Sequence, residues 1–230
     1  MTQRLPGISD AAATGVVKHT LAGSTKLLGR SSNLLRILSA HTPYLARWFI
    51  GFVAAVRQPS VGAMSDVRLR NLATIKTSMT NECKYCATHT SIYGQALGVS
   101  EAQLETMKGD GWRESPLFNE REKATIAWAE AVTLNSAKRD KVLWDNMKRL
   151  FSDAEIVEIT LASAMFNMIN RLNDTFWTEL ETEEYNRRQG NAVKGVTVAD
   201  IESFASGFAA AGKAQRQGEA TAGGRVTPDF

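Results

Sequence analysis

Three features of this 230-residue chain predict an all-α protein. Apolar residues recur at helical spacing along most of its length. No run of alternating Val, Ile and Thr bounded by tight turns appears. Cap-forming residues stand where the periodic segments begin. An apolar share of 43% with 22% charged residues suits a globular chain long enough to bury a full core. The most apolar run, Tyr44 to Val56, is short and carries Arg47, so no membrane-crossing helix is expected. The net charge of +3 is mild, and Lys and Arg are interspersed with Asp and Glu, which argues against a nucleic-acid partner.

Residues 1–41 read as a basic amphipathic arm. Up to residue 57 the chain holds Arg4, Lys18, Lys26, Arg30, Arg36, Arg47 and Arg57 against a single acid, Asp10. An organellar transit peptide has that bias. Leu21, Leu27, Leu28, Leu34, Leu35 and Leu38 favour instead an arm packed on the body or on another subunit. The helical domain proper spans 42–190. Thr42-Pro43 opens a helix through about Arg57, with Pro at its first position, and Pro59 and Gly62 punctuate the chain after it. Ser65-Asp66 caps the next helix, apolar through Val67, Leu69, Leu72, Ile75 and Met79. A helix from about Asn81 to Leu97 stops at Gly98, and Ser100 with Gln103 forms a capping box for a short one. Helices at about 119–134, 140–151 and 153–180 follow; the centre of the last, TLASAMFNMIN, is apolar nearly all round and reads as the buried central helix. Trp112, Trp128, Trp144 and Trp177 read as core or interface anchors. Residues 191–230 form a C-terminal extension, with a helix at 198–210 and a mobile, Gly-rich tail from 212.

Chemistry concentrates in NECKYCATH. Cys83 and Cys86 are the only cysteines, and His89 is one of three histidines. Steps of three along a helix put all three side chains on one stripe. With Asn81 or Thr80 as N-cap and Glu82 in the first turn, the helix dipole favours thiolate over thiol. His89 can take the proton of Cys86 or hold its thiolate as an ion pair, and Cys83 is near enough to resolve an oxidised Cys86. A structural disulfide, a zinc site and plain buried core residues compete with this reading. So short a loop restrains the unfolded chain little, however, and zinc lacks a fourth ligand because His19 and His41 lie far upstream. Haem attachment is excluded by spacing, since Ala87 follows Cys86. Neither a metal nor a cofactor is called for. Two cysteines in a redox spacing suit a reducing, cytoplasmic setting.

These residues resemble the carboxymuconolactone decarboxylase family with its alkylhydroperoxidase-D-like (AhpD-like) members, across roughly residues 42–182. The resemblance is carried by the helix Met64 to Met79 leading into NECKYCATH, the Gly98-Val99-Ser100 loop, and Phe166, Asn167, Asn170, Arg171, Asn173 and Asp174 in FNMINRLNDTF. It implies a helical bundle assembled as trimers or hexamers with the thiols near a subunit boundary. Cys86 is implied as the peroxidatic thiol and Cys83 as the resolving one, with a small thiol-disulfide protein as reductant. Two positions depart from the peroxidase pattern: Thr90 stands where its His is expected, with His89 one residue earlier, and Asn71 stands at the proton-relay Glu. An amide cannot shuttle a proton; Glu82 is the stand-in, set against its competing role of capping the helix start. Asn170 and Arg171 are candidate pocket residues orienting an anionic substrate, although Arg171 with Asp174 also reads as a structural pair. The leading expectation is a thiol-dependent peroxidase or thiol-disulfide oxidoreductase acting on a small peroxide. The alternatives are a cofactor-free lyase or isomerase acting on a small carboxylated metabolite, with His89 as base, and a redox-sensing oligomer.

Overall fold

The computed structural model describes residues 2–58, 62–187 and 196–221, excepting the side chains of 187, 209 and 213–221. Among these residues there are helices and no strand: α1 (Gly15–Leu28), α2 (Asn33–His41), α3 (Pro43–Arg57), α4 (Val67–Thr80), α5 (Lys84–Ala96), α6 (Glu101–Met107), α7 (Glu120–Thr133), α8 (Lys141–Leu150), α9 (Asp153–Phe176), α10 (Glu183–Arg187) and α11 (Val198–Thr221), with single 3-10 turns at Gly111–Arg113 and Ala137–Arg139. No described helix is long and apolar enough to cross a membrane.

Local chemistry sets most of the boundaries. Pro43 occupies the start of α3, Asp66 caps α4 by accepting from the Arg68 N–H, and reciprocal capping boxes open α6 (Ser100 with Gln103), α7 (Asn119 with Glu122) and α9 (Ser152 with Glu155). Two ends differ from expectation. α9 stops at Phe176 because Trp177 turns left-handed, φ 50°. α11 continues through Gly212 to Thr221, so the polar composition there does not stop the helix; the expected tail from 222 on lies outside the described residues.

The central helix is α4, not α9. Residues Leu69 to Ser78 of α4 are buried all round as it packs against α5, α7 and α9. α9 instead turns Val157, Leu161 and Met168 to solvent. Sequence polarity hid α4, because its buried polar groups are matched from neighbouring elements. Lys76 Nζ lies 2.8 Å from Glu130 Oε1 on α7, Thr77 and Ser163 hydroxyls bond at 2.7 Å, and the Arg70 guanidinium donates to the carbonyls of Val56, Gln58 and Ser65. α5 approaches α4 closely at Gly94, where a Cβ would fall 2.7 Å from Asn71 Oδ1 and 2.9 Å from Ile75. The N-terminal arm is integral to the body. α1 packs on α3 and α11, with Val16, Leu21, Leu27, Leu35, Ile50, Phe204 and Phe208 forming one apolar cluster. Of the four tryptophans read as anchors, Trp112 and Trp128 are buried, whereas Trp144 and Trp177 are partly open to solvent.

Candidate active site

The link between α4 and α5 fixes the cysteines. α4 closes in a Schellman motif: Cys83 N–H donates to Ser78 O and Glu82 N–H to Met79 O, both at 3.0 Å, with Glu82 in the left-handed position at φ 57°. Asn81 is therefore the C-cap of α4, not the N-cap of the next helix. That role falls to Cys83, and Glu82 is an exposed linker residue outside the first turn. Cys86 lies in the first turn of α5, where the dipole acts.

Both cysteines are free and buried, at 0% and 2% exposure, with Sγ atoms 2.8 Å apart. The Asn173 amide donates to Cys86 Sγ at 3.3 Å, and Cys83 Sγ lies 3.9 Å from Asn170 O. Burial, reinforced by the adjacent Cys83 sulfur, pushes the Cys86 thiol far above the ordinary thiol range, against the Asn173 hydrogen bond. Desolvation thus outweighs the helix dipole here, and Cys86 rests as the thiol rather than the expected thiolate.

His89 is held by partners that sequence reasoning missed. Its Nε2 lies 2.8 Å from Glu181 Oε2 and 2.9 Å from Asn186 Oδ1, and its ring meets Tyr85 edge-on at 4.2 Å. The Asn186 amide nitrogen donates to Glu181 O, so both groups facing Nε2 are acceptors. This assigns the ring proton to Nε2, and in the neutral ring the lone pair is at Nδ1. Burial lowers the His89 pKa, and nearby Arg30 lowers it further, against the pull of Glu181. Glu181 accepts from the Tyr85 hydroxyl and from Asn33 N–H, both at 2.6 Å, and lies 3.1 Å from Arg30 Nη1. Burial alone would raise its pKa, but His89, Arg30 and Tyr85 prevail and hold it at about 2. At neutral pH an ionised carboxylate therefore backs a neutral imidazole.

Cys86 and His89 share one cavity of about 540 Å³, part of it open to solvent. Its walls come from the arm, α3, α5 and α9, and its polar groups are Arg30, Ser32, Arg57, Tyr85, Cys86, His89 and Asn173. Cys83 instead borders a separate, more open hollow beside Glu82, Lys84 and Lys108.

The other residues singled out by sequence lie off this cavity. Asn71 is buried between α4 and α5 and donates to Thr90 O at 3.3 Å; the Thr90 hydroxyl bonds Cys86 O at 2.9 Å. Asn170 is buried against α4, near Thr77 and Ser78. Arg171 is exposed and bonds its own helix at Asn167, whereas no ion pair to the exposed Asp174 is seen. Of the missed residues, Asn173 had a signal, since it sits in the NRLND motif. Arg57 ends an apolar helix, and Glu181 is one of several acids in ELETEE, so neither stands out in one sequence. Among the described residues, no cluster of His, Cys, Asp and Glu has the makings of a metal site.

Comparison with known proteins places this architecture. No family model matches the chain. The uncharacterized protein YnjA of Escherichia coli K12 is 26% identical over 131 residues, 56% of this chain and 68% of YnjA. A solved Agrobacterium tumefaciens protein of unknown function, proposed to be the antioxidant defence protein AhpD, superposes with TM-score 0.56 at 26% identity, over 63% of this chain and 96% of that one. The debrominase Bmp8 superposes at TM-score 0.66 and 21% identity over 82% of this chain and 96% of its own. An AhpD-core, peroxidase-related protein of Ralstonia eutropha JMP134 gives TM-score 0.66 at 18% identity, over 80% and 96%. The chain has the AhpD-like fold.

Proposed function

We propose that this protein is a thiol-dependent peroxidase or thiol-disulfide oxidoreductase in which Cys86 attacks and Cys83 resolves. The observation that carries the reading is the pair of free sulfurs 2.8 Å apart with Cys86 on a cavity wall. A disulfide bond of about 2.05 Å needs only a small further approach. The peroxidase-related and debrominase neighbours agree with cysteine chemistry of this kind.

In the proposed cycle, a hydroperoxide enters the cavity and His89, neutral and backed by Glu181, takes the Cys86 proton. Cys86 Sγ bonds to the terminal peroxide oxygen, the O–O bond breaks, and the alkoxide leaves as the alcohol with the proton from His89. Cys83 Sγ then attacks Cys86 Sγ and displaces the sulfenic oxygen, which leaves as water with the Cys83 proton. The peroxide gains two electrons and the dithiol loses two; a small dithiol protein restores the pair by exchange. His89 and Glu181 take the place of a relay through Asn71. The stripe Val157, Leu161 and Met168 on α9 supports assembly into a trimer or hexamer, to be read by light scattering; a monomer at working concentration overturns that part.

One equivalent of tert-butyl hydroperoxide is expected to consume both thiols, with Cys86→Ser inert and Cys83→Ser accumulating a trappable sulfenic acid. An unchanged thiol count overturns the proposal. The protonated Cys86 and the Glu181-backed His89 specifically favour a second reading, a cofactor-free lyase or isomerase with His89 as base. It gains the case if a double Cys→Ser variant keeps full activity on a carboxylated metabolite.

A further inference from the structure

Arg57 stands apart from most of the buried cations. Its side chain is 8% exposed, and its Nε and Nη2 have no hydrogen-bond partner among the described residues. The buried Lys76 and Arg30, like the half-buried Arg68, each face a carboxylate within 3.1 Å, and Arg70 has backbone carbonyls with Glu158 beyond them. Arg57 has instead two aromatic faces, Tyr93 at 4.2 Å and Phe166 at 5.7 Å. Such faces attract a cation without neutralising it. Arg47, the other buried arginine without a carboxylate, is ringed by Tyr44, Trp48 and Phe208 away from the thiols. Arg57 is on the wall of the Cys86 cavity.

Charge across the pocket does not balance. Arg30 and Arg57 line the cavity and His89 is neutral; Glu181, behind the wall, answers Arg30, and Asp174 acts on Cys86 only from the exposed side, so the Arg57 charge meets no carboxylate inside the largely apolar enclosure. A buried charge is costly unless something answers it. Arg57 is also held in place: the Tyr93 hydroxyl donates to its carbonyl, and Tyr93 lies beneath its guanidinium. The rest of the wall, Leu28, Leu34, Phe49, Ile50, Val53 and Ile169, suits a hydrocarbon body.

We propose that the cavity binds a small apolar molecule bearing one carboxylate, its anionic group paired with the Arg57 guanidinium and its body set against Cys86. The inference deepens the thiol-peroxidase reading by naming a substrate class, monocarboxylated hydroperoxides, for the same site. A guanidinium presents two N–H groups to a carboxylate in parallel, which sets the substrate's orientation as well as its charge.

Benzoate and its uncharged counterpart benzamide test this on the reduced full-length protein. Wild type is expected to bind benzoate at least tenfold more tightly than benzamide by titration, and benzoate alone is expected to slow alkylation of Cys86. Arg57→Gln is expected to erase the preference, and Arg57→Lys to keep part of it, with thermal unfolding verifying the fold of each. Equal affinity for the two ligands in wild type overturns the proposal even if neither variant folds. So does an Arg57→Gln variant that alkylates slowly while binding benzoate normally, since the guanidinium would then serve the Cys86 thiolate. Failure of the peroxidase reading is separable: tert-butyl hydroperoxide leaving the thiols intact while benzoate still binds refutes the activity and keeps the carboxylate site.

Discussion

Around α4 and around the cavity the same molecule treats buried charge in opposite ways. Beside α4, Lys76 and Arg68 are matched by Glu130 and Glu122, and Arg70 is wrapped in carbonyls. At the cavity, Arg30 and His89 share Glu181, while Arg57 is answered only by rings. A matched interior costs little to keep and does nothing further. An unmatched cation beside a thiol is a standing cost that a ligand can relieve.

Several substitutions can break or sharpen this contrast. Glu130→Ala leaves Lys76 buried and unpaired, and is expected to cost about 3–5 kcal/mol in denaturant unfolding, with turnover per folded molecule unchanged. Glu181→Gln acts on both counts: about 2–3 kcal/mol of stability is lost with the ionised acceptor, and peroxide turnover falls about 100-fold as His89 loses its orienting charge. Arg57→Met is expected to invert the first result, leaving stability unchanged or higher by about 1 kcal/mol while carboxylate recognition disappears. A loss of several kcal/mol on Arg57→Met would show that the guanidinium has a structural partner and would erase the contrast.

Acid titration separates the two regions more gently. The folded pKa of His89 is lowered from 6.5, so below that value the unfolded chain binds a proton that the folded protein refuses, and stability declines as pH falls. The Glu181 contribution is complete above its ordinary 4.5 and is lost as pH falls toward about 2. Decline between 6.5 and 4.5 is therefore assigned to the cavity, and His89→Gln is expected to flatten it in urea unfolding measured at several pH values. The Cys86 thiol, raised from 9.0, works in the other direction: its contribution is complete below that pH and is lost as pH rises.

Helix content, caps and the position of the thiols were legible because each depends on neighbours within one turn. Ser100 with Gln103, Pro43 and Asp66 behave as their spacing implies. Cys83, Cys86 and His89 are brought to one region by the same periodicity. The chemical state of that trio was not legible. Burial of Cys86 depends on α3 and α9, and the partner of His89 arrives from residue 181. The identity of the central helix was hidden for a related reason: a helix rich in Arg, Lys, Thr and Ser reads as a surface helix until the groups that satisfy it are known.

The left-handed turn at Trp177 sends the chain back over α5, where Glu181 meets Arg30 from the opposite end of the sequence. A ribosome will have released the cysteines long before it releases this strap. Until then His89 of the nascent protein lacks its carboxylate and Arg30 its partner, so a pocket finished by such distant segments is among the last parts to mature.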